Sequence, residues 1–166
     1  MGRALFAVEQ WRKEKPDLDL LPMEVIGLLS EASSMVTRNG LAPFFKRCCL
    51  QPGEFDVLAT LRRAGKPHAL TPTELYEATM VTSGAMTNRI DRLEQAGLVA
   101  RKANPQDRRG VVVELTQKGF ELIDKAIVDH VENERRLLSG LTETEQRQLA
   151  GLLCKLVRSE ALQDGE

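Results

Sequence analysis

Leu70 to Thr116 reads LTPTELYEATMVTSGAMTNRIDRLEQAGLVARKANPQDRRGVVVELT, and its punctuation spells out two helices followed by a hairpin. Thr71-Pro-Thr-Glu74 puts a threonine at the N-cap, proline at N1 and glutamate at N3. A hydroxyl and a carboxylate at that spacing satisfy each other's orphan backbone donors, so a helix is predicted from about 72 to 79. Thr82 caps a second helix over 83–96, with Met86, Ile90 and Leu93 on its inner face and Gly97 as its stop. Only two or three residues separate the two, Met80 and Val81 among them, and helices joined so tightly form a helix-turn-helix corner. Val99 to Ala103 and Val111 to Leu115 are β-forming runs around NPQDRRG, the two strands of a hairpin, with Val111, Val113 and Leu115 directed at the core.

Working outward, Gln51-Pro-Gly-Glu54 opens a helix over 53–64 with Phe55, Leu58, Ala59 and Leu61 facing inward and Gly65 ending it. Thr116 caps a long helix reaching about 138, and Thr142-Glu-Thr-Glu145 repeats the capping box ahead of an apolar stripe of Leu149, Leu152, Leu153, Leu156 and Val157. Residues 22–47 are largely helical, and residues 3–14 form an additional amphipathic helix that ends before Pro16. The fold class is mainly α with a small β-hairpin: a winged helix-turn-helix with long N- and C-terminal dimerisation helices. Residues 1–50 supply the N-terminal extension helix and a dimerisation helix, 51–116 the winged helix-turn-helix, and 117–166 the C-terminal dimerisation helices. Apolar stripes on the flanks (Leu28, Leu29, Ala32, Met35, Val36; Ile123, Ile127, Val131; Leu149, Leu153, Leu156) exceed what so small a core covers, which predicts a two-fold homodimer.

The bulk numbers narrow the function. The 166 residues carry a formal net charge of −1, so a polyanion is attracted only by a local patch. No apolar run approaches the roughly 18 residues that cross a bilayer, and the N-terminus turns charged too soon for a signal peptide, so a cytoplasmic location and no membrane partner are expected. Cys48, Cys49 and Cys154 match no metal or disulfide spacing and are expected to be buried structural thiols, with redox sensing through Cys48 and Cys49 as the alternative. The two histidines, His68 beside Pro67 in a loop and His130 on the long helix, belong to no acid-base constellation, and the sequence has no glycine-rich phosphate loop or metal-ligand cluster; no enzyme activity, metal or cofactor is expected.

In a helix-turn-helix the second helix enters the major groove with its N-terminal residues leading. Here those are Ser83, Gly84, Thr87 and Asn88: small residues for close backbone approach, then side chains able to bond base edges or backbone oxygens. From 82 to 109 there are six basic residues (Arg89, Arg92, Arg101, Lys102, Arg108, Arg109) against three acids (Asp91, Glu94, Asp107), a local excess in a chain that is nearly neutral, and Arg92, Arg108 and Arg109 are expected among the DNA-binding residues. Arg108 and Arg109 stand at the hairpin tip, where an arginine can enter the narrow minor groove beside the helix. Asp107 either holds the guanidinium or caps the turn, aiming the tip. A winged helix used only for protein interaction, without DNA binding, is the alternative from a different class.

LTPTEL, TNRIDRLEQAGLV, the Asp107-x-Arg109-x-x-x-Val113 pattern and the closing LTQKG, in that order, resemble the multiple antibiotic resistance regulator (MarR) family. The resemblance implies homodimeric winged-helix repressors that bind palindromic double-stranded operators and release them when a small molecule binds. It also implies that Arg109 reaches the minor groove. The extra N-terminal helix with Trp11, the EFDVLATLRRAG stretch with Asp56, the TNRI stretch with Arg89, and Arg101 are similar to the urate-responsive subgroup, in which matching residues bind the ligand and transmit its presence. An asparagine belonging to that set has no counterpart in Arg62-Arg-Ala-Gly65.

The residue chemistry agrees: a flat indole and planar guanidinium forks suit an anionic heterocycle such as urate or xanthine. Asp56, if ionised, is expected to pair with Arg89 or Arg101, so that an incoming anion competes for that partner.

Overall fold

The computed structural model describes residues 2–79, 83–107 and 109–161; the side chains of 83–85 and 159–161 lie outside the description. Along the chain come α1 (Arg3–Glu14), α2 (Leu21–Val36), a π-helical turn (Thr37–Leu41), α3 (Ala42–Arg47), α4 (Pro52–Arg63), β1 (Ala69–Leu70) and α5 (Pro72–Ala78). Then follow α6 (Ser83–Gln95), β2 (Val99–Ala103), β3 (Val111–Leu115), α7 (Gln117–Leu137) and α8 (Glu143–Ala161). The architecture is mainly helical with a small three-stranded antiparallel sheet in the order β1-β3-β2.

The capping chemistry operates as the residues require. Thr71 Oγ1 accepts the Glu74 N–H at 3.2 Å while a Glu74 carboxylate oxygen accepts the Thr71 N–H at 2.7 Å. Thr142 and Glu145 reproduce the exchange at 3.3 and 2.7 Å at the start of α8. At the start of α7, Thr116 Oγ1 accepts the Gly119 N–H at 3.0 Å and donates to the Gly97 carbonyl at 2.7 Å, tying the helix to the base of the hairpin. Met80, Val81 and Thr82, on which the reading of the corner rests, lie outside the described residues.

The core gathers Phe55, Leu58 and Leu61 of α4, Leu75 of α5, Met86, Ile90 and Leu93 of α6, Val99, Val113 and Leu115 of the sheet, and Ile123 of α7. At about 25 cal/mol per Å² removed from water, burial of these side chains is the main term holding the helix-turn-helix to its wing. Strand β3 pairs with β2 from Val99↔Leu115 to Ala103↔Val111. Val111 departs from expectation. It is 42 % exposed because it sits on the outermost rung of the hairpin, beyond the helices that cover Val113.

Below the wing, Phe44, Phe45 and Phe55 pack around the His130 ring with centroids 5.0, 5.9 and 4.7 Å away, joining α3 and α4 to α7. The π turn brings Gly40 against α7: a Cβ there would lie 2.3 Å from Leu137, and the buried Asn133 amide donates to the Gly40 carbonyl at 3.3 Å. The thiols also depart from expectation. Cys49 and Cys154 are exposed and Cys48 is only half-buried, since they stand at the end of α3 and on α8 rather than on inward faces. Burial pushes the Cys48 thiol up from its ordinary value, which disfavours the reactive thiolate.

Helix α1 docks on α2 through a borrowed cap. The Glu31 carboxylate of α2 accepts the Arg3 and Ala4 N–H groups at 3.1 and 3.0 Å, and these bonds hold its pKa below the usual value. A depressed carboxylate stabilises the docked state above its unfolded pKa and loses that contribution as pH falls through the folded value. Acidification, or Glu31→Ala at neutral pH, is therefore expected to loosen α1, read as a fall in the fluorescence anisotropy of Trp11, the sole tryptophan.

Candidate nucleic-acid interface

Burial of Met86, Ile90 and Leu93 turns the opposite face of α6 outward, and Thr87 and Asn88 are exposed on it. Ser83 and Gly84 belong to the first turn of α6, with the Ser83 side chain outside the described set. Arg92 is engaged within the protein: its Nε lies 2.9 Å from a Glu54 carboxylate oxygen, and its Nη2 donates to Gln51 Oε1 at 3.1 Å.

One turn earlier, the Arg89 guanidinium lies across Gly53, where a Cβ would meet its Cζ at 2.2 Å. Its Nη1 is buried without a hydrogen-bond partner among the described residues.

The wing tip is built by short-range hydrogen bonds. The Asn104 N–H donates to the Gly110 carbonyl and the Gly110 N–H to the Asp107 carbonyl, both at 2.9 Å. Asn104 Oδ1 accepts the Gln106 N–H at 2.9 Å, and Asp107 Oδ1 accepts the Arg109 N–H at 3.0 Å. Of the two roles considered for Asp107, capping the turn is the one observed. Its carboxylate fixes the backbone at Arg109 and, among the described residues, the guanidinium is unclaimed.

Arg108 lies outside the described residues. Among those described, Arg109 is exposed and makes no ion pair, whereas Lys102 on β2 pairs with Glu114 at 2.8 Å. Much of the local basic excess is thus compensated internally, and Arg109 is a cation presented outward.

The four residues grouped as a ligand set are only partly brought together. The expected pairing of Asp56 with Arg101 is corrected: Arg101 binds Asp91 and Glu94, because β2 runs beside the C-terminal half of α6, where Glu94 already accepts the Arg101 N–H at 2.9 Å. Asp56 and Arg89 are electrostatic neighbours without an ion pair. Although Asp56 is exposed, the surrounding chain desolvates it enough to raise its pKa, against the lowering pull of Arg89, His130 and Arg63.

Trp11 stands 45 % exposed on α1, whereas Asp56 belongs to α4, Arg89 to α6 and Arg101 to β2. A cavity of about 600 Å³ opens elsewhere, between α3 and α7, lined by Phe44, Arg47, Cys48, Lys125, Asp129 and Arg136.

Sequence reasoning missed Gly53 and Glu54. The available signal was a glycine at the second position of a helix, where it costs stability relative to alanine and needs a packing reason.

This geometry agrees with the likeness to known proteins. Residues 50–110 match the model of the MarR family. The transcriptional regulator PecS of Dickeya dadantii is 47% identical over 146 residues, covering 88% of this chain and 87% of PecS. The chain belongs to the MarR family. The crystal structure of a mutant Escherichia coli MarR complexed with operator DNA superimposes with a TM-score of 0.63 at 28% identity, covering 88% of this chain and 96% of that one. Bordetella bronchiseptica BpsR, whose DNA binding is regulated by 6-hydroxynicotinic acid, does so at 0.66 and 26%, covering 81% and 98%. The chain is a DNA-binding transcription regulator of winged-helix fold, and no described helix is long and apolar enough to cross a membrane.

Proposed function

We propose that the protein is an effector-responsive repressor that binds a palindromic operator as a homodimer and leaves it when a small planar anion, urate or xanthine in type, binds beside α6. The observation that carries the effector reading is Arg89. It belongs to the DNA-reading helix, its Nη1 is buried without a partner among the described residues, and Asp56 is a charged neighbour. An anion taking up that guanidinium changes the balance of charges under the helix, which makes two states with different DNA affinity. BpsR, with 6-hydroxynicotinic acid as its regulator, offers a precedent for a small heteroaromatic acid on this fold.

The dimer reading rests on the flanks. No described side chain of α2 or α8 is buried within the protomer, and Leu152 and Val157 are 67 % and 70 % exposed. Apolar helices of this length need a covering surface, and a second copy supplies the same helices in return. Thr87 and Asn88 then read major-groove edges while Arg109 enters the minor groove.

Titrating the purified protein with urate or xanthine is expected to quench Trp11 fluorescence and to release bound duplex over one concentration range. Duplex binding that stays unchanged at millimolar concentrations of both purines removes this effector class.

A further inference from the structure

We infer that the first turn of α4 sets the pose of the DNA-reading helix, with Glu54 and Gln51 as positioning residues and Arg92 as the arm they hold rather than a phosphate contact. The inference rests on α6 being the DNA-reading helix. Glu54 is 8 % exposed, and a carboxylate so far from water has to be satisfied by charge and hydrogen bonds. One oxygen accepts the Gln51 N–H at 2.7 Å, which caps α4. The other lies 2.9 Å from Arg92 Nε, and Gln51 Oε1 takes Arg92 Nη2 at 3.1 Å. Two donors of the guanidinium are thereby committed to α4.

Arg89 and Arg92 are three residues apart on α6 and so share a face, and Arg89 lies over Gly53 at the same turn of α4. A short segment, Gln51 to Glu54, therefore seats the helix through two guanidinium groups. Drawing Arg92 out to a phosphate would leave Glu54 buried without its cation, which costs more than the exposed contact returns. The pose so fixed decides where Thr87 and Asn88 meet base edges, so loosening it should erode discrimination between sequences while leaving the charge presented to DNA unaltered.

The test compares the wild type with Glu54→Gln, Arg92→Lys, Arg92→Ala and the Glu54→Gln/Arg92→Lys pair. Each is titrated against a duplex selected by the wild type from a random library and against unselected duplex, over a range of salt. Glutamine at this position keeps the cap but presents an amide instead of a charge to Arg92. Lysine keeps the charge but cannot span Glu54 and Gln51 together.

Glu54→Gln and Arg92→Lys are each expected to weaken binding to the selected duplex about ten-fold, and Arg92→Lys, which keeps the charge count, leaves unselected binding and the salt slope unchanged. The pair should lose no more than either single change, because both break one interaction. The inference is overturned if Arg92→Lys binds as the wild type does, if Arg92→Ala lowers the salt slope by about one, or if Glu54→Gln leaves the preference intact. Should Glu54→Gln fail to fold, the two Arg92 variants decide between the same outcomes. A wild type that prefers no duplex sinks the assignment of α6 itself, and does so before any variant is compared.

Discussion

Gly119→Ala is expected to destabilise the protein by about 3 kcal/mol, the upper part of the range for forcing extra atoms into a packed site. A Cβ at Gly119 would sit 1.9 Å from the Leu98 carbonyl oxygen and 2.9 Å from its carbon. These are backbone atoms, and no side-chain rotation clears them. The same oxygen accepts the Thr116 N–H at 3.1 Å, and the Gly119 N–H is held by Thr116 Oγ1, so α7 cannot simply lift away from the hairpin base. The clash falls where the DNA-binding unit passes into α7. Urea unfolding should show a large fall in midpoint; an unchanged midpoint would mean that Leu98 and α7 are not in contact in solution. Gly53→Ala is a different case, since the group it meets is the movable end of Arg89.

Arg109→Ala is expected to weaken duplex binding by about 1 to 3 kcal/mol, roughly five- to 150-fold, while the protein still sediments as the wild type does. The side chain is exposed, unpaired among the described residues, and placed by a turn whose hydrogen bonds involve its backbone alone. Its loss therefore removes a projecting charge and leaves the hairpin standing. Lys102→Ala supplies the contrast: Glu114 already neutralises that ammonium, so binding should change little. Equal losses for the two variants would show that bulk charge, and not the tip, carries the wing's contribution.

Much of the fold was legible because its signals are local. Capping boxes at Thr71 and Thr142, the caps at Gln51 and Thr116, and a β-branched run after a polar turn depend on neighbours within four residues, and the strands Val99–Ala103 and Val111–Leu115 follow that reading residue for residue. Strand β1 was not legible, because two residues show no alternation and Ala69 and Leu70 become a strand only by pairing with Glu114 and Val113. The π turn was equally hidden, since an apolar stripe at helical spacing does not report which carbonyl each N–H chooses, and Gly40 has its reason in Leu137, far along the chain.

For the site, residue types were readable and partners were not. Arg92, Arg101 and Lys102 look alike in sequence, yet each is claimed by a carboxylate that only tertiary packing brings near: Glu54 for the first, Asp91 and Glu94 for the second, Glu114 for the third. Arg109 escapes this because it stands exposed at the hairpin tip, with no carboxylate paired to it among the described residues. The arginine that mattered most to the effector reading, Arg89, was visible as a charge on α6 but not as a group laid over Gly53 with a buried nitrogen that has no partner among the described residues.

The central claim is that α6 and the wing form a DNA-reading surface on a chain with almost no net charge. Duplex affinity measured against salt concentration tests it most directly. The account predicts a steep linear fall of log affinity with log salt, because each neutralised phosphate releases counterions, and a shallower slope for Arg109→Ala by about one. Affinity that is flat with salt, or a slope identical in the two proteins, would contradict it.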